Sequence, residues 1–146
     1  MEYLRCAVVG LGTFGSFHAR VWSELPYTRL AAVCDRDAAR AAALGAQYGV
    51  PWYTDHRALL VSVATPDHLH RQVAVDAARA GKHVLVEKPL ATSREDVNAI
   101  VQAAKQNGVR VMCDLHNRVN PPFALARQRI AGGELGEVRS LYMRMN

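Results

Sequence analysis

Cysteine is scarce in this chain and poorly placed for either a disulfide framework or a metal. Cys6, Cys34 and Cys113 are odd in number and lack metal-type spacing. They fall in or beside apolar strand-length runs, so they read as small core residues suited to a reducing compartment, and a cytoplasmic location is expected. No apolar run approaches the roughly 20 residues of a membrane-spanning helix, so no membrane association is expected. The first residues show no basic stretch leading into a long apolar region, so no secretory signal is read. Aromatics are 7% of the 146 residues and are not interleaved with the basic ones, so a net charge of +5 makes no nucleic-acid platform. An anionic ligand explains part of that balance, and an acidic partner domain could offset the rest. No nucleophile elbow supports acyl transfer. There is no internal repeat and no low-complexity segment. What remains is a half-hydrophobic chain long enough for one domain with a sizeable core.

What is present alternates. Strands are expected at Arg5 to Val9, Leu30 to Cys34, Trp52-Tyr53, Val61 to Ala64, His83 to Val86 and Val109 to Cys113. Helices fall between them. One runs from Phe14 to Leu25 and stops before Pro26. A second, from Ala38 to Tyr48, is capped by Asp37 and stopped by Gly49. A third is capped by Asp67, with Leu69, Val73, Ala77 and Ala80 on its apolar face and Gly81 at its end. A fourth starts at Ser93, with Asp96 in a capping-box-like position, a stripe of Val97, Ile100, Val101 and Ala104, and a stop at Asn107-Gly108. Pro121 opens a last helix that Gly132-Gly133 ends. Short β-branched strands alternating with helices predict an α/β fold with a doubly wound parallel sheet. In such sheets ligands bind beyond the carboxyl ends of the strands. Those ends carry Gly10, Asp35, Thr65-Pro66-Asp67, Glu87-Lys88-Pro89 and Asp114 to Asn117.

Gly10, Gly12 and Gly15 form a Gly-x-Gly-x-x-Gly loop between the first strand and the first helix, and Asp35 follows 20 residues after Gly15. Gly10 permits the tight turn, Gly12 leaves room for a pyrophosphate, and Gly15 lets helix pack on strand. The helix N-terminus offers free N–H groups to the phosphates. Asp35 can accept hydrogen bonds from the adenosine ribose, which favours NAD, while Arg36 beside it could pair with the 2′-phosphate of NADP. The pattern predicts a dinucleotide site. His68 and His70 stand two apart at a helix start with no ligands to complete a set, so no metal is expected. His18, His56 and His83 read as surface or packing residues.

These residues resemble the Gfo/Idh/MocA oxidoreductases, named for glucose–fructose oxidoreductase and inositol dehydrogenase. The likeness rests on Val9 to Gly15 with His18, on Tyr53-Thr54-Asp55, on Ala64 to His70, on Ala80 to Ala91 and on Gly133 to Val138. It implies a Rossmann domain followed by a second α/β substrate domain, and oxidation of a secondary hydroxyl of a sugar, inositol or related polyol, or the reverse. By position, Thr13 and Phe14 lie against the pyrophosphate, and Asp35 with Arg36 lies at the adenosine ribose. Thr65, Pro66 and His68 line the nicotinamide half. Glu87 and Lys88 belong to the cofactor site, and Lys88 also reaches the substrate hydroxyl as the catalytic residue. Asn117 sits where some relatives contact cofactor or substrate. The resemblance also implies a cis Lys88–Pro89 bond and a full-length homo-oligomer. The family's acid/base histidine belongs to the second domain, and no residue here matches it.

The expected division is therefore a cofactor-binding domain over 1–120 and, over 121–146, a connecting helix and the first strand of the second domain. Val138 to Asn146 alternates like a half-buried strand with no sheet left to join, so the protein is expected to continue beyond Asn146. Only Thr54 to Leu60 separates the third strand from the fourth, whereas a crossover needs about 10–12 residues. Either a loop is missing between Leu60 and Val61, or a true deletion removes Trp52-Tyr53 from the sheet. Two other functions stay open: a redox-assisted glycoside hydrolase or lyase with tightly held NAD, and a nucleotide-sensing protein without turnover.

Overall fold

The structure, a computed structural model, is described for residues 3–56 and 62–142. The chain divides into two compact units, Met1–Asp114 and Leu115–Asn146.

The first unit carries β1 (Leu4–Val9), α1 (Thr13–Glu24), β2 (Thr28–Cys34), α2 (Ala38–Tyr48), β3 (Trp52–Tyr53), β4 (Ser62–Val63), α3 (His70–Arg79), β5 (Val84–Glu87), α4 (Arg94–Gln106) and β6 (Val111–Asp114). The strands form one sheet in the order β3-β2-β1-β4-β5-β6, and every pairing is parallel. The chain runs outward from β1 to one edge and then returns to build the other. That reversal leaves a crevice at the carboxyl ends of β1 and β4, where a doubly wound sheet takes its ligand. β3 pairs with β2 through Val33↔Trp52 and Cys34↔Tyr53. Trp52-Tyr53 therefore stays in the sheet. The expected break at Leu60–Val61 lies outside the described residues.

Alternation along the strands splits the core into two layers. Val8 and Val33 pack with Leu11, Leu30, Ala19 and Ala41 on one face. Val9, Cys34, Val63, Val84 and Val86 pack with Val73, Ala74, Ala77 and Ile100 on the other. Burial on both faces is why these strands read as continuous apolar runs. Helix ends follow local chemistry. The Asp37 and Ser93 side chains accept the N–H groups of Arg40 and Asp96, each at 3.1 Å, and Gly49 closes α2 in the left-handed conformation at φ 64°.

Two helices differ from expectation. Asp67 does not cap α3: it opens a 3₁₀ turn, Asp67–Leu69, with no side-chain capping bond, and α3 begins at His70. The later start shifts the buried face to His70, Val73, Ala74, Ala77 and Ala78, leaving Ala80 exposed at the helix end. On α4 the buried residues are Ile100, Ala103 and Ala104, and Val101 is exposed.

In the second unit a 3₁₀ turn, His116–Arg118, precedes α5 (Pro121–Ala131), with Pro121 in its first turn. The expected strand is not formed over 138–142, as befits an alternating segment with no strand edge of its own to pair with; the rest of it lies outside the described residues. Among the described residues no helix is long and apolar enough to cross a membrane.

Candidate functional site

The three loop glycines meet three different environments. Gly10 has φ 87°, and a Cβ there would stand 2.6 Å from the Ala64 carbonyl carbon and oxygen. Only glycine holds that turn against β4. At Gly15 a Cβ would be driven into the Gly10 carbonyl oxygen, with the carbonyl carbon 2.7 Å away. At Gly12 it would meet nothing within 4 Å, because this glycine faces the cleft. Gly12 is also the N-cap of α1, with no side-chain capping bond and no acidic residue in the first turn. The first-turn N–H groups have no intrahelical partner and lie at the positive end of the helix dipole. An open cradle beneath an uncapped helix start fits a pyrophosphate.

Asp35 closes the cleft where β2 ends. Its Oδ2 accepts the Leu11 N–H at 2.7 Å, and its Oδ1 accepts the Asp37 N–H at 2.9 Å. Arg40 Nη1 lies 3.2 Å from Oδ2. Burial on its own would raise the carboxyl, but the Asp37 and Leu11 amides and the Arg40 guanidinium outweigh it and hold Asp35 below its ordinary value. Asp35 thus stays anionic and keeps acceptor capacity for a ribose hydroxyl. The neighbouring Cys34 thiol is pushed up to about 11 by burial, with Asp35 and Asp55 adding to the effect, so it is inert at neutral pH.

The opposite wall comes from the chain after β4 and β5. Thr65 and Pro66 line the cleft. The Thr65 hydroxyl is buried with no hydrogen-bond partner among the described residues, leaving a donor that a bound molecule could satisfy. His70, fully buried, spans two backbone oxygens: Nδ1 lies 2.8 Å from the Pro89 carbonyl and Nε2 2.9 Å from the Thr65 carbonyl. The ring braces the Thr65-Pro66 segment against Lys88-Pro89, whose peptide bond is cis as the resemblance implies.

Beneath Lys88 lies a buried polar cluster. His18 Nε2 is 2.9 Å from Glu87 Oε1, and its Nδ1 is 2.8 Å from Ser62 Oγ. The His18 ring thus spans the Glu87 carboxyl and the Ser62 hydroxyl. Glu87 Oε2 in turn accepts the Lys88 N–H at 3.1 Å. The Lys88 ammonium sits 5.6 Å from the centre of the Phe14 ring.

Of the expected site residues, Gly10, Gly12, Thr13, Phe14, Asp35, Arg36, Thr65 and Pro66 line one cleft of about 610 Å³, within the usual size range of cofactor pockets. Gly15 packs beneath it, and Lys88 reaches its margin at Phe14. His68 is exposed in the 3₁₀ turn and is not part of the cleft wall. The Glu87 carboxylate is buried in the His18 cluster instead of lining the cleft. Asn117 belongs to the second unit. Sequence reading missed Arg40, Thr54, His56 and Gln72, which also line the cleft. His56 is half-buried, with Nε2 2.8 Å from Asp76. His18, read as a surface or packing residue, is the packing kind: it follows Gly15 by three positions, so it shares that residue's face of α1.

The sheet order and this cleft define a Rossmann dinucleotide-binding domain. The chain belongs to the Gfo/Idh/MocA family: the family model described as an oxidoreductase family with an NAD-binding Rossmann fold matches residues 4–115. It is 34% identical over 147 residues to scyllo-inositol 2-dehydrogenase (NAD(+)) of Bacillus subtilis (strain 168), covering 94% of this chain and 43% of that protein. Among solved structures it resembles an NAD-binding oxidoreductase from Klebsiella pneumoniae, at 35% identity and a TM-score of 0.81, covering 93% of this chain and 40% of that one. An Agrobacterium radiobacter oxidoreductase, solved with NAD+, L-tartaric acid and magnesium, matches at 28% identity and a TM-score of 0.86, with 93% and 42% covered. The chain thus spans less than half the length of these relatives.

Proposed function

We propose that this chain is the cofactor-binding part of an NAD-dependent oxidoreductase that moves a hydride between nicotinamide and a secondary hydroxyl or ketone of a sugar, inositol or related polyol. The observation that carries this reading is Lys88, a cation held at the cleft margin over Phe14 by a buried carboxylate on its own backbone. The relationship to an inositol dehydrogenase supports the substrate class. In this reading residues 1–120 hold the cofactor, and 121–146 are a connecting helix and the first strand of a substrate domain through which the protein forms homo-oligomers. Three free thiols suit a cytoplasmic protein.

Bound NAD supplies the hydride acceptor. The α1 N-terminus and the Gly12 cradle bind its pyrophosphate, Asp35 takes the adenosine ribose, and the Thr65 hydroxyl turns into the cleft to orient the nicotinamide half. Lys88 places its ammonium beside the substrate oxygen, where it stabilises the negative charge that grows as the hydroxyl loses its proton. His70 and the His18–Glu87 pair fix the two backbone segments that carry Thr65 and Lys88. The proton acceptor belongs to the substrate domain. A panel of sugars and polyols offered to the full-length protein with NAD, followed by the absorbance of the reduced nicotinamide, should find turnover on at least one. No turnover on any member, in a protein shown to bind NAD, rejects the reading.

A further inference from the structure

The adenosine end of the cleft holds more positive charge than a site built only for an unphosphorylated ribose requires. Asp35, Arg36 and Arg40 all line it. A carboxylate offers about four acceptor positions. Asp35 has committed three: Oδ2 to the Leu11 amide at 2.7 Å and to Arg40 Nη1 at 3.2 Å, and Oδ1 to the Asp37 amide at 2.9 Å. A ribose diol brings two hydroxyls to the single position left, so one partner has to yield. The two amides are fixed by the backbone. Arg40 is the longest of the three contacts, and its side chain is 45% exposed. An exposed guanidinium–carboxylate pair is held only weakly. Arg40 also has a second anchor, because Nη2 lies 3.3 Å from Asp37 Oδ2. Released from Asp35, it can stay tethered to Asp37 at the ribose edge. Arg36, exposed one residue beyond Asp35, has no ion-pair partner among the described residues.

We propose that Arg40 is a movable specificity residue through which this cleft accepts a 2′-phosphorylated dinucleotide as well as NAD. With NAD, Arg40 gives up its place on Asp35 to a ribose hydroxyl and stays on Asp37. With NADP, the guanidinium forks onto the 2′-phosphate, a geometry that arginine matches with two parallel N–H bonds. Arg36 adds a second cation to the same group. The repulsion from Asp35 that would exclude NADP is thereby offset within the site itself. The proposal rests on the reading of the cleft as a dinucleotide site.

The test is calorimetric titration of the chain with NAD+ and with NADP+, for wild type, Arg40→Ala, Arg40→Lys and Arg36→Ala. Wild type should bind NADP+ within about tenfold of NAD+. Arg40→Ala should weaken NADP+ by about tenfold or more while leaving NAD+ unchanged or tighter, since the competitor for Asp35 is gone. Arg40→Lys, which keeps the charge and loses the fork, should fall between, and Arg36→Ala should cost NADP+ less than Arg40→Ala does. NADP+ binding more than about tenfold weaker than NAD+ in wild type, or an Arg40→Ala effect equal on both cofactors, overturns the proposal. Failure of both cofactors to bind wild type would overturn the reading of the cleft itself, an outcome distinct from loss of NADP+ alone.

Discussion

Glycine-to-alanine substitution at two positions three residues apart should give opposite results. At Gly12 the backbone (φ −64°, ψ −164°) suits an L-residue and the added methyl meets no protein atom within 4 Å. Loss of unfolded-state freedom favours alanine by about 0.4–1 kcal/mol, while alanine is a poorer N-cap than glycine by a similar amount. Gly12→Ala should therefore melt within about 2 °C of wild type. Its methyl occupies the pyrophosphate cradle, and losing one or two charge-assisted amide bonds costs about 3 kcal/mol, a weakening of roughly 100-fold. At Gly15 the methyl collides with the Gly10 carbonyl, a backbone group that cannot swing aside as the end of a flexible side chain would. The cost sits at the upper end of overpacking, about 3 kcal/mol, or about 6–12 °C. Melting with and without NAD separates the two effects. NAD at a hundred times its wild-type Kd stabilises wild type by about 2.7 kcal/mol, and that shift should nearly vanish in Gly12→Ala. A Gly12→Ala chain with the full NAD shift, or a Gly15→Ala chain melting as wild type does, would refute the assignment of the loop.

Lys88→Ala in the full-length protein should lower kcat by at least about tenfold with NAD affinity changed little, because the ammonium acts on charge that develops in the transition state; equal losses in both, or turnover within a few-fold of wild type, would make Lys88 a binding or structural residue. Cys34, with its thiol near pH 11, should resist alkylation at pH 8, where only about a thousandth is thiolate, and react once the chain is unfolded; mass spectrometry of labelled peptides reads this directly. Asp35 has its carboxyl lowered on folding, so its contribution to stability is present above the unfolded value near 3.9 and is lost as pH falls through the lower folded value. Asp35→Asn should accordingly be less stable than wild type at pH 6, and urea midpoints of the two should converge toward pH 3. The 146-residue chain alone should bind NAD and oxidise no polyol; reduced nicotinamide appearing with that chain would place the proton acceptor within it.

The parallel sheet was legible because each strand is a short apolar run bounded by a turn signal, and burial on both faces makes such runs plain. The cofactor cleft was legible because glycine spacing is dictated by collisions: Gly10 and Gly15 each exclude a Cβ on backbone grounds that no neighbouring side chain can alter. Less was visible where the outcome depends on where a side chain ends up. Nothing local says that Glu87 turns away from the cleft and buries its carboxylate on His18, 69 positions earlier. Arg40 is the third residue after the capping Asp37, so one helical turn brings it back over the end of β2, but that matters only once Asp35 is known to face the same way. The start of α3 was misread because Asp67 is a good cap by type, while the chain leaving Pro66 forms a tighter turn first and delays the helix to His70.

Asp35 and Glu87 show how the sheet turns a backbone edge into a site. Each carboxylate ends a parallel strand, and each accepts an N–H from the segment that must be held still: Leu11 of the glycine loop for Asp35, and Lys88 for Glu87. Burying a carboxylate is costly unless its oxygens are satisfied, and here both oxygens of both groups are engaged. What they add is definition. The glycine loop and Lys88 are each held by a backbone N–H donated to a carboxylate at a strand end, so their geometry exists before any ligand arrives. His70 applies the same logic without charge, spanning the carbonyls of Thr65 and Pro89 so that two strand ends keep a fixed separation. A cofactor entering this cleft therefore loses little free energy to ordering its walls, and on the proposal above the group it displaces is Arg40.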